Sequence, residues 1–252
     1  MNVKFYVICE FSGPIRVFEG KHPYKYLYNI KIESHSTALR DIAACTTHNC
    51  LFVSDCVNKC IWIIDSEEKV EMWTTNVLCN PGSLSVTADG RLLMVNDHDN
   101  TIEIYKEQGS KPVLIAVPSK VRHLHHVVET KVGTFYISYG KDDYRLHNVY
   151  EITKKGFTKR SYCKKDGNKR LSHPRHLEVD SSDGFLFIAD TGNNCIRILD
   201  ENLSLFTTIP LDYQQEVKLN SPLRTYYDSD SRFLLIGQNT KRLRLVSIDK
   251  NI

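Results

Sequence analysis

The sequence contains no long apolar run. No stretch approaches the roughly 18 consecutive apolar residues that a membrane-spanning helix needs. The amino-terminal segment, MNVKFYVICEFSGPIRVF, lacks the charged, apolar and small-residue order of a secretory signal peptide. From these two absences we expect a cytoplasmic chain that makes no contact with membranes.

Motifs of common enzyme classes are also missing. The sequence has no nucleophile elbow G-x-S-x-G, no phosphate loop G-x-x-x-x-G-K and no dinucleotide motif G-x-G-x-x-G. No segment shows a sustained apolar period of 3.6 residues, which argues against a helical repeat protein. Hydrophobic residues make up 41% of the chain and charged residues 25%, as is typical of a globular domain.

What the sequence does contain is an internal repeat. The clearest copy, His173 to Asp200, has three apolar stretches separated by turns at residues 182–184 and 190–194. Residues 80–105 and 39–65 repeat this pattern, and weaker copies open the chain and follow Leu124 and Leu223. Six copies with about four short antiparallel strands each predict an all-β fold, a six-bladed β-propeller.

The fifth copy resembles the NHL-repeat propellers. The resemblance lies in P-x-x-L-x-V-D-x-x-D-G-x-L-F-I-A-D-T-G-N-N-x-I-R-I, residues 174–198, and continues in diluted form over nearly the whole chain. It implies a single propeller domain over residues 1–252. The innermost strand of the first copy would precede Met1, and no outer strand is obvious after Ser247. The chain is therefore either a fragment of a longer protein or a propeller with two three-stranded blades.

The eight cysteines admit more than one interpretation. Several lie in alternating apolar runs, where a reduced cysteine behaves as a small buried hydrophobe, although the even number also permits disulfides. A zinc site is a further alternative for one group, but this group lacks the paired C-x-x-C spacing of structural zinc sites. Its members are Cys45, Cys50, Cys56 and Cys60.

Acidic and histidine side chains are the candidates for catalysis. Asp55, Asn96 and Asp190 recur once per copy at a strand end, so we interpret them as residues that cap turns. Five histidines cluster around the first strands of copies four and five: His123, His125, His126, His173 and His176.

A zinc enzyme related to the NHL propellers offers a comparison for these histidines. In the peptidyl-hydroxyglycine lyase that matures amidated peptides, zinc is held by histidines just before the inner strands. The matching positions here are Arg40, Gly82, Leu124, Arg175 and Leu223 or Arg224. The ligand pattern of that lyase is therefore absent. We expect no catalytic residue, no metal and no other cofactor.

Basic residues support the functional hypothesis. One arginine lies at the start of the first strand in each of four copies: Arg40, Arg122, Arg175 and Arg224. We expect them to surround one end of the propeller, with His125 and His176 nearby. A planar guanidinium suits phosphate and carboxylate groups, and a local patch has to attract them because the net charge is only +3.

A second basic patch covers residues 153–170, with eight Lys or Arg residues against one Asp. Its aromatic residues suggest a surface for single-stranded RNA, where bases stack and phosphates pair. The alternative is a solvated outer strand and loop. The candidate binding residues are Tyr162, Lys164, Lys165, Lys169 and Arg170.

The resemblance to the NHL domains of tripartite-motif proteins implies a function. Such domains bind single-stranded RNA or a partner protein, and any ubiquitin-ligase activity lies in a RING domain, which this sequence lacks. We therefore expect a monomeric, non-enzymatic recognition module that binds single-stranded RNA or a protein partner. The alternatives are a propeller that binds only proteins, such as ligase substrates, and an enzyme of the lyase or lactonase kind.

Overall fold

A computed structural model describes residues 4–8, 13–20, 24–33, 37–74, 80–96, 99–108, 110–140, 147–162, 170–180, 182–209, 219–240 and 242–248. Within these ranges the chain forms β-strands and one short 3₁₀ turn, Thr191–Asn193, so the all-β prediction is confirmed. No helix in these ranges is long and apolar enough to cross a membrane. The chain divides into two compact units, Met1–Leu114 and Ile115–Ile252.

The first unit contains three antiparallel sheets. Sheet one has the order β1 (Lys4–Val7), β2 (Ile15–Glu19) and β3 (Tyr26–Ile30). Sheet two has the order β4 (Leu39–Cys45), β5 (Cys50–Asp55), β6 (Cys60–Ile64) and β7 (Val70–Thr74). Sheet three has the order β8 (Pro81–Val86), β9 (Leu92–Asn96), β10 (Thr101–Tyr105) and β11 (Val113–Ile115), whose last residue opens the second unit.

The second unit also contains three antiparallel sheets. Sheet four has the order β12 (Leu124–Glu129), β13 (Phe135–Tyr139), β14 (Asn148–Ile152) and β15 (Thr158–Ser161). Sheet five has the order β16 (Pro174–Val179), β17 (Leu186–Asp190), β18 (Cys195–Leu199) and β19 (Leu205–Ile209). Sheet six has the order β20 (Pro222–Asp228), β21 (Phe233–Gln238) and β22 (Leu243–Ser247). Six consecutive sheets of this kind make the fold a six-bladed β-propeller, as predicted.

Strand β17 shows why the second strands are apolar without alternation. Leu186 and Ile188 pack into a cluster with residues of sheet four, whereas Phe187 and Ala189 pack into a cluster with residues of sheet six. Successive side chains of a strand point to opposite faces, and both faces of sheet five are covered within the second unit. All five residues of β17 are consequently buried.

The recurring polar residue at the end of the second strand has a structural role. Its side-chain oxygen accepts a hydrogen bond from the main chain just before the first strand of the same sheet. The pairs are Asp55 with Ala38 N (3.1 Å), Asp190 with Ser172 N (2.7 Å) and Gln238 with Asn220 N (2.7 Å). Asp55 and Asn96 also accept main-chain N–H groups of the following turn. The interpretation as turn-capping residues is thus confirmed for Asp55 and Asn96.

The same residue also contacts the side chain seven positions later, on the third strand. The pairs are Asp55 with Trp62 Nε1 (3.2 Å), Asn96 Nδ2 with Glu103 (3.4 Å) and Asp190 with Arg197 Nε (2.6 Å). The partner residue changes from sheet to sheet while the geometry is kept. Sequence comparison of the copies therefore finds the first residue of each pair but not the second.

A polar cluster of Lys4, Tyr6, Tyr28 and Glu68 connects sheets one and two within the first unit. Lys4 Nζ donates to Glu68 Oε1 at 2.7 Å, and the Tyr28 hydroxyl donates to the same oxygen at 2.6 Å. Burial raises the pKa of Glu68, but the hydrogen bonds from Lys4 and Tyr28 outweigh it and hold this pKa below its ordinary value. Glu68 therefore stabilises the unit as a carboxylate.

Candidate functional site

The candidate site lies where the first strands of the second unit begin. In each sheet, the first strand begins at the same edge at which the second strand ends, because these two strands are antiparallel. Leu124 accordingly pairs with Tyr139, and Pro174 pairs with Asp190. We call it the starting edge. In sheets four and five the pairing skips one residue directly afterwards, so that His125 and Arg175 are bulge residues. A bulge takes a residue out of the ladder and can re-aim its side chain.

The four predicted arginines do not occupy one repeated position. Arg40, in the first unit, lies in the same kind of bulge as Arg175, between Leu39 and Asp41. Arg224 instead pairs with Gly237 inside the ladder, and Arg122 precedes the first paired residue of its sheet. The positions equivalent to Arg40 and Arg175 are His125 in sheet four and Leu223 in sheet six, because each of these residues lies in the same one-residue bulge. Arg122 and Arg175 are exposed, whereas Arg40 and Arg224 are half-buried.

Two exposed arginines give the starting edge its positive charge. Within the described part of the chain, no carboxylate lies within ion-pair distance of Arg122 or Arg175. Arg122 Nη1 donates to the main-chain oxygens of Ser119 and Val121, which fixes the guanidinium without neutralising it. The side chain of Arg224 is held by its own bond from Nη1 to Leu223 O, 3.0 Å long.

A pair of buried histidines lies at this edge, one on β12 and one on β16. The rings of His126 and His176 are 4.0 Å apart between centroids and tilted by 46°. Thr225 of β20 contacts His176 Nδ1 through Oγ1 at 3.1 Å, and its main-chain N–H donates to the same nitrogen at 3.4 Å. Burial, and then the nearby His126 and Arg224, hold the pKa of His176 well below its usual value. His176 is therefore neutral at pH 7.

A second histidine pair lies beside the bulge residues. His147 and His173 have ring centroids 4.4 Å apart, and the main-chain N–H of His173 donates to His147 Nδ1 at 3.2 Å. Burial, followed by the charge of Arg175, lowers the pKa of His125 to about 3. A Cβ at Gly140 would come within 1.8 Å of the His147 ring, so this position requires glycine. The site thus combines exposed arginine charge with two imidazoles of lowered pKa, those of His125 and His176.

The second basic patch is partly used inside the protein. Lys159 and Arg160 of β15 form ion pairs with the buried Glu151 at 3.1 and 2.8 Å. Tyr162 is buried between sheets four and five, where its hydroxyl accepts a hydrogen bond from Arg197 Nη1 at 3.2 Å. This corrects the expectation that Tyr162 presents its ring to a base, because the ring is enclosed by core side chains.

The remaining residues of this patch fall into two groups. Arg170 is exposed, and its main-chain oxygen accepts a 2.7 Å hydrogen bond from Asn193 Nδ2 at the starting edge of sheet five. Lys164, Lys165 and Lys169 lie outside the described residues.

Sequence reasoning missed His147 and Thr225 and did not select His126. His147 lies in a stretch that matches no copy of the repeat, and Thr225 has an ordinary residue type for a strand. His126 and His176 occupy equivalent positions, each directly after the bulge residue of its strand, and an alignment of Leu124 with Pro174 would have paired them.

Comparison with known proteins supports the fold. No protein family matches the chain, and no curated protein matches it. A solved protein of unknown function from Bacteroides caccae is similar over 98% of this chain and 90% of its own, with a TM-score of 0.74 and 14% identity. An auxiliary nutrient binding protein from Bacteroides thetaiotaomicron matches over 96% and 65% of the two chains, with a TM-score of 0.67 and 18% identity.

An enzyme shares the fold as well. A catalytically inactive histidine-to-alanine variant of virginiamycin B lyase from Staphylococcus aureus, solved with quinupristin, covers 93% of this chain and 74% of its own. The TM-score is 0.63 and the identity 12%. Identities this low establish a common propeller fold and leave function to be argued from the site itself.

Proposed function

We propose that this chain is a non-enzymatic recognition module that binds single-stranded RNA at the starting edge of its second unit. The observation that carries the proposal is the exposed pair Arg122 and Arg175, which no described carboxylate neutralises. A guanidinium in this state binds phosphate through two parallel hydrogen bonds. The resemblance of the fifth repeat to the NHL domains of tripartite-motif proteins supports the same conclusion.

Single-stranded RNA fits this edge better than an acidic peptide does. His123 is exposed directly beside Arg122, so an aromatic ring is available next to a phosphate-binding group. Single-stranded RNA is recognised by this combination, because its unpaired bases stack on rings while its phosphates pair with arginine. An acidic peptide would use the charges but not the ring.

We place the module in the cytoplasm. Cys45, Cys50, Cys56, Cys60 and Cys195 carry no disulfide in the structure. Unbridged cysteines suit a reducing compartment, where structural disulfides are rare. A cytoplasmic module would also meet RNA directly.

The test is a fluorescence-anisotropy titration of the full chain with a labelled, unstructured RNA at low and moderate salt. The double variant Arg122→Ala/Arg175→Ala should weaken binding roughly ten- to hundred-fold, the range expected when hydrogen bonds to charged groups are removed. The slope of log affinity against log salt should fall by about 0.7 for each phosphate that the variant no longer neutralises. Lys131→Ala is the matched control, since Lys131 is exposed at the opposite edge of sheet four.

Three outcomes contradict the proposal. If the wild-type chain binds no RNA at low salt but binds poly-glutamate, it is a protein-binding module. If Lys131→Ala weakens RNA binding as much as the double variant does, the starting edge is not the site. RNA cleavage products on a gel after prolonged incubation would show that the module is an enzyme.

A further inference from the structure

The histidine pair His126 and His176 has no role in the proposed RNA contact, because both side chains are buried. Their exposed fractions are 1% and 7%. Two imidazoles in contact inside a protein are unusual core residues, because an aliphatic pair would fill the same space without polar nitrogens. Two adjacent buried imidazoles are suited to bind one common ligand.

The nitrogens are close enough to share one ion. The candidate ligand atoms of His126 and His176 lie within 4.8 Å of each other. A tetrahedral zinc ion with Zn–N bonds of 2.0–2.1 Å holds two nitrogens about 3.3 Å apart, so small ring rotations suffice. The two residues come from the first strands of adjacent sheets, whose main chains are fixed by their ladders.

Thr225 holds the His176 ring by hydrogen bonds at Nδ1. Its hydroxyl lies 3.1 Å from His176 Nδ1, and its main-chain N–H donates to the same nitrogen at 3.4 Å, so Thr225 fixes the orientation of the ring. Imidazole nitrogens favour zinc, nickel, cobalt and copper over magnesium and calcium.

We propose that His126 and His176 together bind one divalent transition-metal ion, with Thr225 as the residue that orients His176. This inference goes beyond the proposed RNA contact and departs from the sequence-based expectation that the chain binds no metal. The site does not depend on Arg122 or Arg175, so its failure and the failure of RNA binding can be told apart.

The test is isothermal titration of the chelator-treated full chain with NiCl₂ in the presence of a non-coordinating reductant. The wild type should bind at least one equivalent of Ni²⁺. His126→Gln and His176→Gln should each abolish one equivalent, because Gln keeps the size and polarity but supplies no imidazole. His147→Gln is the matched control: His147 is buried in the same unit and packs against another histidine, and its replacement should leave the stoichiometry unchanged.

A second measurement covers the case in which the Gln variants do not fold. Co²⁺ added to the wild-type chain with ¹⁵N-labelled histidine should broaden the ring signals of His126 and His176 before those of His147 and His173. Thr225→Val should weaken Ni²⁺ binding about ten-fold while retaining the stoichiometry, as is usual when a hydrogen bond to a ligating histidine is removed. The proposal is wrong if no equivalent disappears in His126→Gln or His176→Gln, or if Co²⁺ broadens all histidine signals equally.

Discussion

Removal of the Asp190 carboxylate should destabilise the second unit strongly. Asp190 is completely buried, and its Oδ2 lies 2.6 Å from Nε of Arg197, which is itself buried. Its Oδ1 accepts the main-chain N–H of Ser172 at 2.7 Å. Asp190→Ala would leave the guanidinium of Arg197 buried without its counter-charge. Removing one partner of a buried ion pair lowers the free energy of unfolding by about 3 to 5 kcal/mol.

The cost should depend on Arg197 remaining charged. Arg197→Met removes the guanidinium and fills a similar volume, so the double variant Asp190→Ala/Arg197→Met contains no unpaired buried charge. We expect the double variant to lose less stability than the sum of the two single variants, by about 2 kcal/mol or more. Asp89→Ala, which breaks the ion pair of the exposed Asp89 with Arg91, is the control and should cost about 1 kcal/mol or less.

Urea unfolding at pH 7 measures these differences. Both tryptophans, Trp62 and Trp73, lie in the first unit, so far-ultraviolet circular dichroism is the better signal for the second. The reasoning is refuted if Asp190→Ala costs no more than Asp89→Ala. It is also refuted if the Asp190 and Arg197 substitutions are additive, since the two residues would then not be coupled.

Two further predictions concern pH and backbone geometry. Glu68→Gln should lower stability at pH 7. The gap to the wild type should close as the pH falls below 4.5, because a carboxylate with a lowered pKa stabilises only while it is ionised; an unchanged gap in urea titrations at pH 3 would contradict this. Gly156→Ala should cost more than Gly133→Ala in thermal unfolding. Both have positive φ angles, +79° and +75°, but only at Gly156 would a Cβ meet main chain, 2.6 Å from Ala116 O; equal losses of stability would refute this steric argument.

The sequence was sufficient for the fold because the repeat is a local pattern. Residues 173–200 predict three strands and two turns, and the observed strands β16 to β18 lie within this segment. The capping role of Asp55 and Asn96 was equally predictable, since a carboxylate or amide after an apolar strand accepts hydrogen bonds from the turn that follows. Each of these inferences uses residues that are neighbours in the chain.

The site was only partly predictable. Arg122 and Arg175 were expected at the starting edge and are exposed there, but the expected equivalence of the four arginines does not hold. Tyr162 was expected on the surface because of the basic residues around it, yet it is enclosed by sheets four and five. Local composition does not reveal that Arg197, 35 residues further along the chain, binds its hydroxyl.

The sequence by itself therefore determined the number of sheets, their strands and the chemistry of their turns, because these depend on side-chain alternation and short-range hydrogen bonds. Only the tertiary structure decided which side chains meet. A one-residue bulge in β12 and another in β16 shift the ladder register and determine where His126 and His176 fall in their strands. Their rings come together although 50 positions separate them in the chain. Such side-chain contacts depend on strand register and on packing between sheets, and residue spacing along the chain encodes neither of these.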